Sequence, residues 1–237
     1  MKEVHSWCVR LDVPSATSAG LYATLSPDER DRSARFRFTR DRQRFIAARG
    51  ILRTLLGRYL GTRPDQIRFA YNAFGKPELG PELGSRLRFN VSHSTDLALI
   101  AITTDAAIGV DLECIRPQPD GREIARSVFS AAEVDQLNNT PRHLYSQAFL
   151  SCWTKKEAFV KARGEGLAHA PRDLDETGRW SRYALQPAPG YIGALVVEGR
   201  GRRLRQWHSQ RSNRYASSGP PFPSYASWAT SSVNGSV

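Results

Sequence analysis

Apolar residues recur every three or four positions between about residues 40 and 60, and this period predicts a long amphipathic helix. The helix is expected to end at Gly61, since glycine commonly follows the last helical turn. The apolar positions are Phe45, Ala48, Ile51, Leu52, Leu55, Leu56 and Tyr59. The remaining faces carry Arg42, Arg44, Arg49, Arg53 and Arg58. The pattern therefore predicts one apolar face for a core and a basic remainder.

Three further helices are predicted from local signals. Ser26 is followed by Pro27 and two acids, which is typical of a capped helix start. The segments 124–138 and 144–163 carry the apolar spacing of helices. These helices alternate with predicted strands at 3–13, 67–71, 87–91, 97–103, 108–113, 182–186 and 191–198.

This order of elements predicts an α+β fold. Residues 1–104 and 105–198 each contain strands around one main helix, although no repeat of individual residues relates them. Residues 199–237 hold six arginines and no acid, and their Arg, Ser, Gly and Pro composition has no sustained apolar period. We therefore expect two helix-and-strand units followed by a basic tail that is disordered or loosely packed.

Charge and composition narrow the class of protein. The net charge is +11, and residues 26–63 alone carry eleven arginines against four acids. Such a patch should attract an anion, so nucleic acid, polyphosphate ligands and acidic proteins are all candidate partners. The three cysteines form no CxxC pair, and neither a signal peptide nor a membrane-spanning apolar run is present. We expect a cytoplasmic monomer with no membrane partner.

Two groups of acids are candidates for metal chemistry. Asp111 and Glu113 lie two apart on a predicted strand, so both carboxylates should point to one face. Two such close carboxylates repel each other unless a cation lies between them, although an exposed edge strand with solvated acids is the alternative. On the predicted helix 144–163, Trp153, Glu157 and Lys161 follow at intervals of four and share a face, as a surface Glu–Lys pair also would.

Two short motifs could bind phosphate. His93 lies between Ser92 and Ser94 at the end of a predicted strand, and Lys76 lies in a Gly-Lys-Pro turn. Each is also compatible with a purely structural role. Together with the acids, hard oxygen ligands without a His/Cys cluster favour Mg²⁺ over zinc, and nearby cations suit a pyrophosphate.

In this order the motifs resemble those of the 4′-phosphopantetheinyl transferases, specifically the Sfp-type class. The resemblance covers most of the chain and rests on the arginine-rich helix 36–53 and on Phe74-Gly-Lys-Pro77, Phe89-Asn-Val-Ser-His-Ser94, Ile108-Gly-Val-Asp-Leu-Glu113, Trp153-Thr-Lys-Lys-Glu-Ala-Phe-Val-Lys161 and Gly164-Glu-Gly-Leu167. It implies a pseudo-dimer of two α+β halves with coenzyme A in the cleft between them. It also implies Mg²⁺-dependent transfer of the phosphopantetheine arm of coenzyme A to a serine of an apo acyl or peptidyl carrier protein. The other product is adenosine 3′,5′-bisphosphate.

The resemblance also implies roles for individual residues. The implied Mg²⁺ ligands are Asp111, Glu113 and Glu157, and the pyrophosphate contacts are Lys161 and His93. Positions that contact coenzyme A in the family are occupied here by Arg32, Arg44, Lys76 and Ser92. The general base is open between Glu157 and Glu133.

Two other functions compete with transfer. A nucleic-acid-binding protein without enzymatic activity would use the arginine-rich helix and tail, but it would not need the paired carboxylates. A Mg²⁺-dependent phosphohydrolase would use the acids, but it would not need the ordered set of motifs.

Overall fold

A computed structural model describes residues 3–118, 121–166 and 178–208, and its elements form the α+β fold that the sequence predicts. Leu167 of the Gly164–Leu167 motif lies outside the described residues, as does the tail beyond residue 208. The helices are α1 (Ser15–Ala23), α2 (Pro27–Ala34), α3 (Thr39–Leu60), α4 (Gly121–Val128), α5 (Ala131–Asn138) and α6 (Tyr145–Arg163). The strands are β1 (Glu3–Arg10), β2 (Phe69–Tyr71), β3 (Pro77–Leu79), β4 (Leu87–Ser94), β5 (Leu97–Thr104), β6 (Ile108–Cys114), β7 (Trp180–Leu185), β8 (Tyr191–Glu198) and β9 (Arg203–His208).

The strands form three sheets. One has the order β4-β5-β1-β9, another has the order β6-β8-β7, and β2 pairs with β3 in a small hairpin. All neighbouring strands are antiparallel except β1 and β9, which run parallel. β4 and β6 are therefore edge strands of different sheets.

The two larger sheets pack face to face, with a long helix on each outer side. The apolar cluster between the sheets includes Val4, Cys8, Leu97, Leu99, Ile108, Val110, Leu112, Leu195 and Val197. The outer face of the four-stranded sheet packs on α3 through Trp7, Val9, Ile100, Ile102, Ile51, Leu55 and Tyr59. The outer face of the three-stranded sheet packs on α6 through Ala194, Val196, Ala158, Phe159 and Ala162. The order of layers is therefore helix, sheet, sheet, helix.

The helix start predicted at Ser26 and the helix end predicted at Gly61 are confirmed. α3 ends at Gly61, whose φ of 64° lies in the left-handed region that glycine adopts easily. Ser26 and Glu29 form a capping box at the start of α2, and the amide of Ser26 donates to Glu29 Oε2 at 3.0 Å. The similarity of residues 1–104 to 105–198, and a ligand cleft between them, remain predictions.

The prediction of one helix over 124–138 is wrong, because the chain forms two helices there. Ser130 adopts an extended conformation and caps α5, with the amide of Glu133 donating to its hydroxyl at 3.3 Å. The amide of Ser130 donates in turn to Glu133 Oε2 at 2.9 Å. This reciprocal pair starts a new helix and separates α5 from α4. The helix α1 was not predicted, and the predicted strand 3–13 ends already at Arg10.

The expectation that order ends at Gly199 is wrong for residues 203–208, which form β9. Its register against β1 runs from Arg203 opposite Glu3 to His208 opposite Cys8. The ring of Trp207 stacks on Trp7 with centroids 4.6 Å apart. β9 therefore pairs with the edge of β1 that would otherwise expose unpaired main-chain groups.

A chain truncated after Gly199 is expected to be less stable than the full chain, because it lacks β9 and the Trp207 contact. A loss of about 2 to 4 kcal/mol in the free energy of unfolding is typical when a large aromatic contact and a strand pairing are removed. Thermal unfolding of this truncation, of one after His208 and of the full chain measures the effect. Equal midpoints for all three would show that β9 contributes nothing to the fold.

Candidate active site

The two predicted strand acids lie where their spacing places them. Asp111 and Glu113 occupy alternate positions of β6, on the face that α6 covers. Gly109 lies two residues earlier on that face, directly beneath α6. A side-chain carbon there would overlap the carbonyl oxygen of Ala158 and the amide nitrogen of Ala162. Glycine at this position therefore lets the helix approach the strand closely enough for its side chains to reach the two acids.

α6 brings Lys161 onto Asp111. The Lys161 Nζ lies 2.6 Å from Asp111 Oδ1, and the Ser92 hydroxyl donates to the same oxygen at 2.8 Å. Lys161 Nζ also donates to Ser92 Oγ at 3.3 Å. Asp111 is only 3 % exposed, whereas Lys161 is about one third exposed. Lys161 thus forms an ion pair with Asp111 of β6, and its partly exposed ammonium group lies between the buried carboxylate and solvent.

The other oxygen of the same carboxylate has no partner among the described residues. Asp111 Oδ2 is buried and makes no hydrogen bond within that part of the chain. A buried carboxylate oxygen without a partner is costly, and a hard cation is one group that would satisfy it.

The pKa values of the neighbouring acids Glu113 and Glu157 also favour a bound cation. The pKa of Glu113 is raised by burial and by the negative charge of Asp111. Burial also raises the pKa of Glu157, where Asp111 and Glu113 act in the same direction and Lys161 opposes them. Like charges therefore act on the half-buried Glu113 and Glu157, and a bound Mg²⁺ would relieve this repulsion. The donor set of carboxylate oxygens fits that ion.

The convergence of Asp111, Glu113 and Glu157 on one ion remains a prediction. Among the residues that the structure describes, no group of three or more His, Cys, Asp or Glu side chains is arranged to hold a metal ion. The spacing places Trp153 on the same face of α6 as Glu157. In the structure Trp153 packs in an apolar cluster with Phe149.

His93 and Arg44 lie near each other on the α3 side of β4. His93 pairs with Ala98 of β5, whose side chain belongs to the cluster against α3, so His93 points away from Ser92. Its pKa is lowered by partial desolvation and by the positive charges of Lys161 and Arg44. An exposed imidazole that feels the charges of two cations lies in a region that attracts anions.

Arg32 lies in α2, and its guanidinium is 5.4 Å from the centroid of the Phe45 ring. The side chain is exposed at the start of α3. This contact joins α2 to the first part of α3 at Phe45.

The ammonium group of Lys76 is already engaged. Lys76 Nζ donates to the main-chain carbonyls of Ile108 at 2.9 Å and of Lys161 at 2.6 Å. Desolvation lowers its pKa to about 8. The side chain therefore connects the β2–β3 hairpin to β6 and to the end of α6. Its contact with coenzyme A remains a prediction.

The carboxylate of Glu133 also has partners within the protein. Its carboxylate accepts from the amide of Ser130 and lies 3.2 Å from the Nζ of Lys156, which is fully buried. Lys156 lies 5.7 Å from the centroid of the Phe129 ring. These contacts join α5 to α6, and the choice of base between Glu157 and Glu133 remains a prediction.

Sequence reasoning gave no role to Asn90, Ser94 or Lys156. Asn90 and Ser94 flank Ser92 at intervals of two, and this polar alternation along β4 was the available signal. No sequence signal marks Lys156. It follows another lysine, and the sequence does not show that Lys155 is exposed while Lys156 is buried. A cavity of about 250 Å³ also lies beside Lys76, between the hairpin and the end of α6; its lining includes Asn72, Arg88, Phe89, Ile108 and Arg163.

Comparisons of the amino-acid sequence with known proteins assign the chain to a class of enzymes. Residues 107–217 match the 4′-phosphopantetheinyl transferase superfamily, and residues 14–105 match the 4′-phosphopantetheinyl transferase N-terminal family. The chain belongs to the 4′-phosphopantetheinyl transferase family and is an enzyme that transfers phosphopantetheine.

Individual relatives agree with this assignment. The chain is 40% identical over 218 residues to the 4′-phosphopantetheinyl transferase HetI of Nostoc sp., covering 87% of this chain and 92% of the relative. It is 31% identical over 144 residues to the 4′-phosphopantetheinyl transferase Sfp of Bacillus subtilis, covering 61% and 62%. A match to AcpT of Escherichia coli has 36% identity over 136 residues, covering 57% and 65%. The comparisons do not support the alternative of a nucleic-acid-binding protein without enzymatic activity.

Proposed function

We propose that this enzyme transfers the 4′-phosphopantetheine arm of coenzyme A to a serine of an apo acyl or peptidyl carrier protein, with Mg²⁺ as the cofactor. The observation that carries the proposal is the carboxylate of Asp111, which has Lys161 and Ser92 on one oxygen and, in the part of the chain that the structure describes, no partner on the other. Such a carboxylate suits a cation on its open oxygen and an anionic substrate beside Lys161. Among the described residues, no helix is both long enough and apolar enough to cross a bilayer.

Asp111, Glu113 and Glu157 would hold the Mg²⁺, which when bound neutralises negative charge on the pyrophosphate of coenzyme A. Lys161 and His93 would hold the pyrophosphate oxygens, since the positive charge of Lys161 acts on the His93 ring near the end of β4. Arg44 and Arg32 would contact the remaining phosphate of coenzyme A from the surface of α2 and α3.

The transfer step forms one bond and breaks one. The serine hydroxyl oxygen of the carrier protein bonds to the phosphorus that bears the pantetheine arm, and the bond from this phosphorus to the bridging oxygen breaks. That oxygen leaves on adenosine 3′,5′-bisphosphate with the bonding electron pair. Glu157, a proposed ligand with the character of a base, would accept the serine proton.

Intact mass of the carrier protein tests the proposal. An apo carrier protein incubated with this enzyme, coenzyme A and Mg²⁺ is expected to gain about 340 Da, the mass of the transferred arm. Omitting coenzyme A, or chelating Mg²⁺, should leave the mass unchanged. An unchanged mass with several unrelated carrier proteins in the complete mixture would contradict the proposed function.

A further inference from the structure

β4 and β6 lie side by side without main-chain pairing. They are edge strands of different sheets, yet they are in extensive contact. Asn90, Ser92 and Ser94 share one face of β4, and we call them the polar row of β4. The amide of Val110 donates to Asn90 Oδ1 at 2.8 Å, and the amide of Cys114 donates to Ser94 Oγ at 3.1 Å. Side chains of β4 thus take the place of a pairing strand along the edge of β6.

The polar row also reaches both acids of β6. The Ser92 hydroxyl donates to Asp111 Oδ1 at 2.8 Å, and the Ser94 hydroxyl donates to Glu113 Oε2 at 3.3 Å. Each serine therefore faces one member of the acid pair.

The hydroxyl of Ser94 accepts one hydrogen bond and donates another. Its oxygen accepts from the Cys114 amide, which leaves the single hydroxyl hydrogen free to point at Glu113. Within the described ranges, Glu113 has no ion-pair partner within 4 Å. Its side chain has several rotatable bonds, and the nearby charge of Asp111 pushes its carboxylate away. The contact from Ser94 opposes both effects.

We propose that Ser94 is a positioning residue that orients the carboxylate of Glu113 for Mg²⁺. This inference rests on the proposed function, since it presumes that Glu113 is a ligand. Partners that orient metal ligands typically change metal affinity by 10- to 100-fold when they are removed. Because the Ser94 contact is long, we expect an effect of about 10-fold, at the lower end of that range.

Binding of Mn²⁺ as a spectroscopic substitute for Mg²⁺ tests the role of Ser94. Free Mn²⁺ is measured by electron paramagnetic resonance in the presence of coenzyme A, with coenzyme A alone as the blank. Ser94→Ala is expected to bind Mn²⁺ about 10-fold more weakly than the wild-type chain. Ser94→Thr, which keeps the hydroxyl, should bind within about 2-fold of wild type, and Ser94→Cys should resemble Ser94→Ala.

Ser85→Ala is the matched control, since Ser85 Oγ accepts from the amide of Leu87 at the other end of β4. It should bind Mn²⁺ as wild type does. Equal Mn²⁺ affinity for wild type, Ser94→Ala and Ser94→Cys would overturn the role of Ser94 alone. No Mn²⁺ binding by the wild-type chain would overturn the magnesium site, and this inference with it.

Discussion

Asp111→Asn and Glu157→Gln are each expected to lower kcat/KM for carrier-protein modification by at least about 10³-fold. The reason is that both residues contribute oxygen ligands to one proposed ion, and a neutral amide is a far weaker ligand for Mg²⁺ than a carboxylate. Asp111→Asn also removes the ion pair with Lys161, which lies at 2.6 Å. Initial rates from carrier-protein mass at varied coenzyme A give the effect on kcat and KM separately.

The double variant should be scarcely worse than either single variant, because residues that act as a unit are strongly non-additive. Asp65→Asn serves as the control, since Asp65 is an exposed acid paired with Arg63 at 2.7 Å. It should keep wild-type kinetics. Losses that multiply in the double variant would show that Glu157 and Asp111 act separately and that Glu157 is not part of the metal site.

Gly109→Ala is expected to destabilise the protein and to reduce its activity together. The added carbon would overlap main-chain atoms of α6, which cannot move aside by changing a side-chain rotamer. The helix as a whole would have to shift, at a cost of about 3 kcal/mol or more. Since Lys161 is on that helix, its contact with Asp111 would lengthen. Thermal unfolding and turnover, measured on the same preparation, report the two effects.

Gly20→Ala provides the comparison, because nothing lies within 4 Å of a side-chain carbon built there. Gly20 is within α1, so alanine should raise stability slightly through its higher helix propensity. If Gly109→Ala unfolds at the wild-type temperature, the close approach of α6 to β6 is not what limits residue 109 to glycine.

Features fixed by near neighbours in the chain were predictable. The end of α3 at Gly61 and the start of α2 at Ser26 follow from backbone freedom and capping, which need only a few residues. The break between α4 and α5 had the same kind of signal in Ser130 and Glu133, but the apolar spacing of 124–138 obscured it. β9 had no local signal, because its exposed and half-buried residues pair with a strand far away in the sequence.

Some features of the candidate site were also predictable from local sequence patterns, and others depend on contacts between distant parts of the chain. The common face of Asp111 and Glu113 follows from the two-residue period of a strand, and the approach of α6 follows from its apolar face. The partners of Lys76 are main-chain carbonyls, which every residue possesses and no sequence pattern marks. The burial of Lys156 depends on how α5 lies against α6, which is a matter of tertiary packing.

The parallel pairing of β1 with β9 has a consequence for how the protein is made. The guanidinium of Arg205 and the carboxylate of Glu3 are in contact although they lie 202 residues apart in the chain. A ribosome releases β1 first, so the nascent four-stranded sheet has an open edge until residues 203–208 emerge. Contacts of such long sequence separation form late and slow the folding of a domain. The edge of β1 therefore waits for its partner until nearly all of the described chain has emerged, and during that time it needs protection from association with other chains.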